Sequence, residues 1–341
     1  MARVACLLPR ERFDKTGVRI PEGWEFIFVD CDSERDIVES CEKADFILVR
    51  PTYPPITSAI IKTIPSVVLI QTTGAGFDNV DVRAAAALNL PVANLPGKNA
   101  NAVAAFTLSA LVVLQRQMVL ADREIKAGNY RGVKEKLMKV GQREISGTKL
   151  GLVGLGAIGK QVAYYASAQG AYVSYYKPQR ADKEIERRFR LTYMSSLERM
   201  LSSNEVVSLH LPLNDSTRGL IGKKEMGLMQ PGSFLINTSR GGIVGQWALA
   251  EALENGHLGG AALDTLDPEP PPPEHPLLGL SDAAKDKLLL TPHIAGVTAE
   301  GLKTMLEQAI DNMKRVAYGG KPENVVNEVS EARKYRQNNA N

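Results

Sequence analysis

The chain has 341 residues, 44% of them hydrophobic and 23% charged, which is ordinary for a folded globular protein and long enough for two domains with separate cores. Its 41 Lys and Arg residues nearly balance its 38 Asp and Glu residues, so the charge provides no broad basic face for nucleic acid. Because no apolar segment is long enough for a membrane span or a signal peptide, and the three cysteines and four histidines lack metal-site spacing, we expect a cytoplasmic protein that binds no metal, nucleic acid or membrane.

The first part of the chain alternates short apolar strands with helical stretches. We predict strands at residues 4–8, 25–29, 46–49 and 67–70, and helices at 33–43 and 81–89. This alternation is typical of a parallel sheet covered by helices, so it predicts a small doubly wound unit. A long helix at residues 101–126 is predicted to lead into a second α/β region.

The second region begins with a glycine motif. Gly154, Gly156 and Gly159 follow an apolar run and have the spacing G-x-G-x-x-G. The first glycine permits a tight turn, the second lets a pyrophosphate approach the backbone, and the third lets the strand pack against the next helix. The amides at the start of that helix then face the phosphates. In this setting the motif predicts a dinucleotide site, the alternative being a glycine-rich turn without a ligand.

The next strand, predicted at residues 171–176, ends where dinucleotide sites distinguish NAD from NADP. NAD sites place an Asp or Glu there for the ribose 2'-hydroxyl, whereas a basic residue accommodates the 2'-phosphate of NADP. This chain has Lys177 and Arg180 there, and the first carboxylate after them is Asp182. We therefore predict NADP(H) in preference to NAD(H). The alternative is that the two basic side chains are solvated surface charges.

Three later strand ends carry residues suited to the chemistry of an acid substrate. Further strands are predicted at residues 206–211, 233–237, 259–263 and 288–290. Arg240 follows the second of these strands and could hold a carboxylate bidentately. Glu269 lies in a proline-rich loop after the third strand, and His293 follows the fourth. Simpler interpretations are a surface ion pair, a solvated acid and a packed structural histidine.

Together these segments resemble the D-isomer-specific 2-hydroxyacid dehydrogenase family over about residues 49–326. The resemblance rests on five segments in order: Gly74-Ala75-Gly76-Phe77-Asp78-Asn79, Val153-Gly154-Leu155-Gly156-Ala157-Ile158-Gly159, Asn237-Thr238-Ser239-Arg240-Gly241-Gly242, Ala262-Leu263-Asp264 with Glu269, and Thr291-Pro292-His293-Ile294-Ala295-Gly296. It implies an α/β fold of two doubly wound (Rossmann-like) lobes. A nucleotide domain of residues 99–294 would be inserted into a split substrate domain of residues 1–98 and 295–341. A helix at 298–318 would return the chain to the first lobe, where 321–326 could rejoin its sheet.

The resemblance also implies a reaction like that of the phosphoglycerate dehydrogenases and the glyoxylate or hydroxypyruvate reductases. A hydride would move between a nicotinamide cofactor and C2 of a small D-2-hydroxy or 2-oxo acid. His293 would exchange a proton with the oxygen on C2, Glu269 would orient the imidazole, and Arg240 would hold the substrate carboxylate. Substrate contacts are implied for Arg50, Thr73, Gly74, Ala75 and Gly76.

Cofactor contacts are implied for a larger set of positions, most of them at strand ends. They are Gly154, Gly156, Ala157, Ile158, Gly159, Lys177, Arg180, His210, Pro212, Thr238, Asp264 and Gly296. Ala157 and Ile158 would meet the pyrophosphate through their amides, and Asp264 would accept a hydrogen bond from the carboxamide. The family's NAD-dependent members usually have Asp at the Lys177 position, a departure that favours NADP(H).

Two more expectations follow from the resemblance. The family is usually homodimeric through the segment that corresponds to residues 101–145, so we expect a homodimer. An alternative function is that of a non-catalytic, NAD(P)-sensing binding protein of the corepressor type, because this fold does not dictate function. The joint presence of Arg240, Glu269 and His293 favours the enzyme.

Overall fold

The chain forms two units, and the second unit interrupts the first. Unit 1 comprises Met1–Asn99 and Val297–Asn341, and unit 2 comprises Ala100–Gly296. The computed structural model of the protein describes residues 1–29 and 33–329. The sequence-based boundaries, after residues 98 and 294, fall close to these crossings, after residues 99 and 296. The assignment of the units as substrate domain and nucleotide domain stays a prediction.

Unit 1 contains a parallel sheet of five strands in the order β2-β1-β3-β4-β5. The strands are β1 Ala2–Leu7, β2 Trp24–Phe28, β3 Phe46–Val49, β4 Leu69–Thr72 and β5 Val92–Ala93. The helices between them are α1 Arg10–Asp14, α2 Glu34–Cys41, α3 Ser58–Thr63 and α4 Val82–Ala87. The central strand β3 reads Phe-Ile-Leu-Val and is buried throughout, as expected of a parallel strand covered on both faces.

Strand β4 begins two residues later than the predicted strand at 67–70. Its ladder with β3 starts at the pair Phe46↔Leu69, whereas Val67 donates its amide to the Ile64 carbonyl in the turn after α3. A continuous apolar run has no alternation that would fix where the ladder begins. The strand β5 was not predicted, because its two residues are too few to form a pattern.

Unit 2 contains a parallel sheet of seven strands in the order β12-β11-β10-β9-β6-β7-β8. Three helices precede it: α5 Ala100–Gln115, α6 Met118–Lys126 and α7 Tyr130–Val140. The strands are β6 Lys149–Val153, β7 Tyr172–Tyr176, β8 Leu191–Tyr193, β9 Val206–Leu209, β10 Phe234–Asn237, β11 Gly260–Leu263 and β12 Leu288–Leu290. The other helices are α8 Ala157–Ala168, α9 Lys183–Phe189, α10 Leu197–Ser203, α11 Lys223–Leu228, α12 Gln246–Glu254 and α13 Asp282–Lys285.

The strand order of unit 2 reverses between β6 and β9. Such a topological switch point opens a crevice at the carboxyl ends of the strands, where ligands bind in this class of fold. Because all neighbouring strands are parallel, every carboxyl end lies along one edge of the sheet. The predicted fold class, an α/β protein with two doubly wound sheets, is confirmed.

The prediction of one helix at residues 101–126 is wrong. Helix α5 ends at Gln115 and α6 begins at Met118, with a bend of 62° between them. Gln117 has a left-handed backbone (φ 48°), a conformation that ends a helix. Because this conformation is typical of Gly and Asn, a Gln at this position does not predict it. In the described part of the chain no single helix meets the length and hydropathy of a membrane span, although α5 and α6 do so as a bent pair.

Helix α14, Ala299–Ala317, returns the chain to unit 1, as predicted for residues 298–318. Thr298 caps it by accepting a hydrogen bond from the Gly301 amide. Beyond the helix, Val325 forms an isolated antiparallel bridge with Ala93 of β5, so the segment 321–326 rejoins the sheet by a bridge and not by a full strand. Cys6 is a buried free thiol, Cys41 is also buried, and Cys31 lies outside the described residues.

Candidate active site

Three adjacent strands of unit 2 place the predicted catalytic residues along one edge. Arg240 follows β10, Glu269 lies in the loop after β11, and His293 follows β12. These strands are neighbours in the sheet and run parallel. Residues that are far apart in sequence are therefore delivered to the same edge because parallel strands end together.

His293 and Glu269 form a hydrogen-bonded pair. Nδ1 of His293 lies 2.9 Å from Oε2 of Glu269, and Oε1 of Glu269 accepts a hydrogen bond of 2.8 Å from the Leu266 amide. The carboxylate is thereby fixed by its own loop and orients the imidazole, and Nε2 of His293 has no hydrogen-bond partner among the described residues. The two side chains are 30% and 31% exposed, so solutes can reach them.

Asp264 anchors the loop that carries His293. Its buried carboxylate accepts hydrogen bonds from the Thr291 hydroxyl (2.6 Å) and from the amides of Ile294 and Ala295 (2.8 Å each). Its carbonyl accepts the His293 amide at 2.7 Å. His293 itself has a left-handed backbone, with φ 55°. The family resemblance predicts only a hydrogen bond from the cofactor carboxamide for Asp264; its anchoring of this loop was not predicted.

The loop that carries Arg240 is packed against the loop that carries Glu269. Asn237 donates from its side-chain amide to the Arg240 carbonyl at 2.8 Å, and Nη1 of Arg240 donates to the Ser239 carbonyl at 2.8 Å. A Cβ on Gly241 would overlap the carbonyl of Leu266. Only glycine at residue 241 permits this close contact between the two loops, and the contact holds Arg240 on the same edge of the sheet as Glu269.

The glycine motif has a different constraint at each position. A Cβ on Gly154, whose φ is 100°, would overlap the His210 carbonyl, and one on Gly159 would lie 2.6 Å from the Gly154 carbonyl oxygen. A Cβ on Gly156 would have no atom within 4 Å. Gly156 precedes α8, which has no side-chain cap. The open space before uncapped amides fits a pyrophosphate, with Ala157 and Ile158 as the first helical residues.

His210 follows β9, beside the switch point. Its Nε2 lies 2.9 Å from the Ser208 hydroxyl, whereas the buried Nδ1 has no hydrogen-bond partner in the described residues. Burial lowers the pKa of His210 from 6.5 to about 4. The ring is therefore neutral near pH 7, which suits the predicted role as a wall of the nucleotide groove.

The pKa of His210 predicts that the protein loses stability as the pH falls from about 6.5 to about 4. The pKa of His210 is lower in the folded state than in the unfolded state, so the unfolded chain binds more protons between these two pH values. The contribution of the neutral ring to the free energy of unfolding is therefore fully present above pH 6.5 and is lost as the pH falls to about 4. We expect His210→Asn to flatten the profile by up to about 3 kcal/mol, measured by urea unfolding at pH 7.5 and 4.5. His257→Asn, which alters a ring bonded to the Met226 carbonyl, should keep the slope. Equal slopes for His210→Asn and the wild type would contradict the assignment.

The two predicted contacts to a 2'-phosphate differ in the structure. Lys177 directly follows β7 and has no hydrogen bond or ion pair within residues 1–29 and 33–329. Arg180 instead binds Glu186 bidentately, with both distances 2.8 Å. Tyr175 also donates to Glu186 at 2.7 Å, and Arg180, followed by Tyr175, lowers the pKa of Glu186 to about 2. This ion pair, which was not predicted, competes with the predicted 2'-phosphate contact of Arg180.

The other predicted cofactor residues lie in the loops after β9, β10 and β12. Thr238 is buried, and its hydroxyl lies 3.2 Å from that of Thr107 on α5. The Pro212 carbonyl accepts a 2.7 Å hydrogen bond from the Thr217 hydroxyl. Gly296 is the last residue of unit 2. Ser239, which was not predicted, links the two loops because its hydroxyl donates to the Leu209 carbonyl at 2.6 Å.

The predicted substrate residues lie in unit 1, at the carboxyl ends of β3 and β4. Arg50 directly follows β3. The Thr73 amide donates to the Val49 carbonyl, so it extends the ladder and does not face a ligand. The carbonyls of Gly74 and Ala75 accept hydrogen bonds from Thr72, Leu95 and Asn94. In the described chain the amides of residues 74–76 donate no hydrogen bond, an arrangement that suits an anion.

Known proteins are similar to this chain in sequence and in fold. Residues 108–295 match the model of the D-isomer specific 2-hydroxyacid dehydrogenase NAD binding domain. The chain is 33% identical to the glyoxylate reductase of Korarchaeum cryptofilum over 296 residues, which cover 87% of this chain and 86% of that protein. It is 38% identical to the D-3-phosphoglycerate dehydrogenase of Escherichia coli K12, over 78% of this chain and 62% of the relative. The structure of D-lactate dehydrogenase from Aquifex aeolicus, complexed with NAD and lactic acid, is similar with a TM-score of 0.81 at 26% identity, covering 93% of this chain and 96% of that one.

Proposed function

We propose residue roles for this chain on the premise that it belongs to the D-isomer specific 2-hydroxyacid dehydrogenase family. As a member, it is an oxidoreductase that transfers a hydride between a nicotinamide cofactor and a small 2-hydroxy or 2-oxo acid. The observation that carries the residue roles is the contact of 2.9 Å between His293 and Glu269. A histidine oriented by a carboxylate is suited to proton exchange near neutral pH.

In the direction of reduction, His293 gives a proton from Nε2 to the oxygen on C2. Glu269 holds Nδ1, so the ring keeps the tautomer and orientation that this transfer needs. Arg240 binds the substrate carboxylate and stabilises negative charge as it develops on the oxygen. A bound nicotinamide supplies the hydride to C2 in this direction and accepts it in the other. In oxidation His293 removes the proton from the hydroxyl group.

The reaction is tested by following the absorbance of NADPH and NADH with a panel of 2-oxo acids. The panel comprises glyoxylate, hydroxypyruvate, pyruvate, phenylpyruvate and phosphohydroxypyruvate. We expect turnover with at least one of them. Failure of this panel and of a wider set of 2-oxo acids with both cofactors would contradict the proposal and favour a non-catalytic NAD(P)-sensing protein of the corepressor type.

NADP(H) is the proposed cofactor, supported by the unpaired charge of Lys177 at the end of β7. We expect Lys177→Asp to weaken NADPH binding by at least about tenfold, the value of one charged hydrogen bond, and to affect NADH binding less. Titration of the wild type and the variant with each cofactor measures the ratio of dissociation constants. Arg180→Gln is the matched comparison: because Arg180 binds Glu186, it should change the ratio less. An unchanged ratio in Lys177→Asp would show that the 2'-position is recognised elsewhere.

A homodimer and a cytoplasmic location are also proposed. Support for the dimer comes from the family resemblance and from large apolar side chains exposed on α6 and α7. These are Met118, Ile125, Tyr130, Met138 and Val140. The cytoplasmic location is supported by the free thiol of Cys6, since reduced cysteines are typical of that compartment.

A further inference from the structure

The loop between β7 and α9, residues 177–182, is anchored to a buried carboxylate. Glu186 of α9 is only 9% exposed. Its carboxylate accepts two hydrogen bonds of 2.8 Å, from Nε and Nη2 of Arg180. The hydroxyl group of Tyr175, near the end of β7, donates a third hydrogen bond of 2.7 Å to it and accepts one of 3.0 Å from the Ala181 amide. Strand, loop and helix are therefore joined through one carboxylate.

The guanidinium group of Arg180 is held from a second side by an aromatic ring. Its carbon atom Cζ lies 5.3 Å from the centre of the Tyr193 ring, and a guanidinium group interacts favourably with the face of such a ring. The Tyr193 ring in turn lies 5.4 Å from the ring of Tyr175, which is fully buried. The side chain of Arg180 is nevertheless 55% exposed, so a ligand can reach it from solution.

This loop lies where a bound dinucleotide is recognised by the substituent on its ribose 2'-position. It follows the second strand of the βαβ unit that begins with the glycine motif, and this part of the fold contacts the ribose. Lys177 is the first residue of the loop and has no ion pair within residues 1–29 and 33–329. Of the two basic side chains predicted to contact a 2'-phosphate, only Arg180 is neutralised by a carboxylate.

Glu186 opposes the binding of a 2'-phosphate to Arg180 in two ways. Nε and Nη2 of the guanidinium group already bind the carboxylate, in the paired geometry with which arginine also binds a phosphate. The negative charge of Glu186 also repels a phosphate that approaches the same side chain. Releasing Arg180 would leave the buried carboxylate with one donor in place of three, and a buried charge with too few partners is unfavourable.

We propose that Glu186 is a positioning residue that prevents Arg180 from binding the 2'-phosphate, so that Lys177 alone recognises this group. The inference rests on the proposed preference for NADP(H) and refines it, because the preference then comes from one basic side chain and not from two. Removing the charge of Glu186 should release Arg180 and increase the preference.

Cofactor binding tests this inference without the need for turnover. Because Gln keeps the shape of the Glu186 side chain but not its charge, we expect Glu186→Gln to tighten NADPH binding by at least about fivefold and NADH binding by less than about twofold. Fluorescence titration measures both dissociation constants. Adenosine 2',5'-bisphosphate and adenosine 5'-monophosphate repeat the comparison without the nicotinamide. Adding Arg180→Gln to Glu186→Gln should abolish the gain, since the gain depends on the released guanidinium group.

Two control variants separate this effect from a general change in charge or in folding. Glu184→Gln, on the same helix but exposed, removes an equal charge and should leave the ratio of the NADPH and NADH dissociation constants unchanged. Tyr175→Phe removes one partner of the Glu186 carboxylate but leaves its pair with Arg180 in place. It should therefore lower the thermal midpoint without tightening NADPH binding.

The outcomes separate this inference from the proposed function. An unchanged ratio in Glu186→Gln, a weaker preference for NADPH, or an equal gain in the double variant would each overturn the inference while the enzyme function stands. If no 2-oxo acid is reduced, the proposed enzyme fails, and the titrations still test the role of Glu186. If Glu186→Gln does not fold, Arg180→Gln is measured instead. A loss of NADPH affinity as large as that in Lys177→Asp would then overturn the inference, and a smaller loss would support it.

Discussion

His293→Asn is expected to lower kcat by about 10²- to 10⁴-fold, the usual contribution of a general acid. The variant keeps a side chain that tolerates a left-handed backbone, which this position adopts with φ 55°. The loop should therefore remain in place through Asp264, whose carboxylate binds Thr291, Ile294 and Ala295. Steady-state kinetics with the best substrate and saturating cofactor measure the loss.

Two accompanying measurements show whether the loss comes from proton transfer. The thermal midpoint and the cofactor dissociation constant of His293→Asn should remain close to the wild-type values. Asp264 still holds the loop of residue 293, and the Leu266 amide still holds the Glu269 carboxylate. His257→Asn, on a different loop, should retain full activity. Activity within a few-fold of the wild type in His293→Asn would remove His293 from the role of proton donor.

Local sequence was sufficient to predict the strands that precede the proposed catalytic residues. Arg240, Glu269 and His293 each follow a short apolar strand, and parallel topology then brings the strand ends to one edge of the sheet. The contacts that fix these residues were not predictable in the same way. The carboxylate of Asp264 reaches residues 27 to 31 positions later, and such pairings depend on the packing of two loops and not on any local pattern.

The errors in the predicted elements have the same origin. Gln117 takes a left-handed conformation that breaks one predicted helix into two, although its residue type gives no sign of this. The sequence predicts a phosphate contact for Arg180 because its partner Glu186 lies six residues away, in the next helix. Their ion pair is not evident from that spacing. Whether a basic side chain is paired depends on the conformation of the turn between strand and helix. The sequence alone therefore overstates the number of basic residues that can bind a ligand.

Substitutions in the glycine motif are expected to separate folding from cofactor binding. Gly154→Ala places a Cβ on the His210 carbonyl with φ at 100°, so it should lower the free energy of unfolding by more than about 2 kcal/mol. Gly156→Ala meets no protein atom within 4 Å and should change stability by less than about 1 kcal/mol. Its methyl group would occupy the space assigned to the pyrophosphate, so the dissociation constant for the cofactor should rise at least about tenfold.

Urea unfolding of the cofactor-free variants and fluorescence titration with NADPH and NADH measure the two effects. Gly227→Ala is the matched control, because its Cβ would also have no atom within 4 Å but lies in α11, away from the motif; it should leave binding unchanged. Normal cofactor affinity in Gly156→Ala would mean that the pyrophosphate does not approach this backbone. A stable Gly154→Ala variant would mean that the turn after β6 can move away from the His210 carbonyl. The orientation of the α8 amides would then not depend on glycine at residue 154.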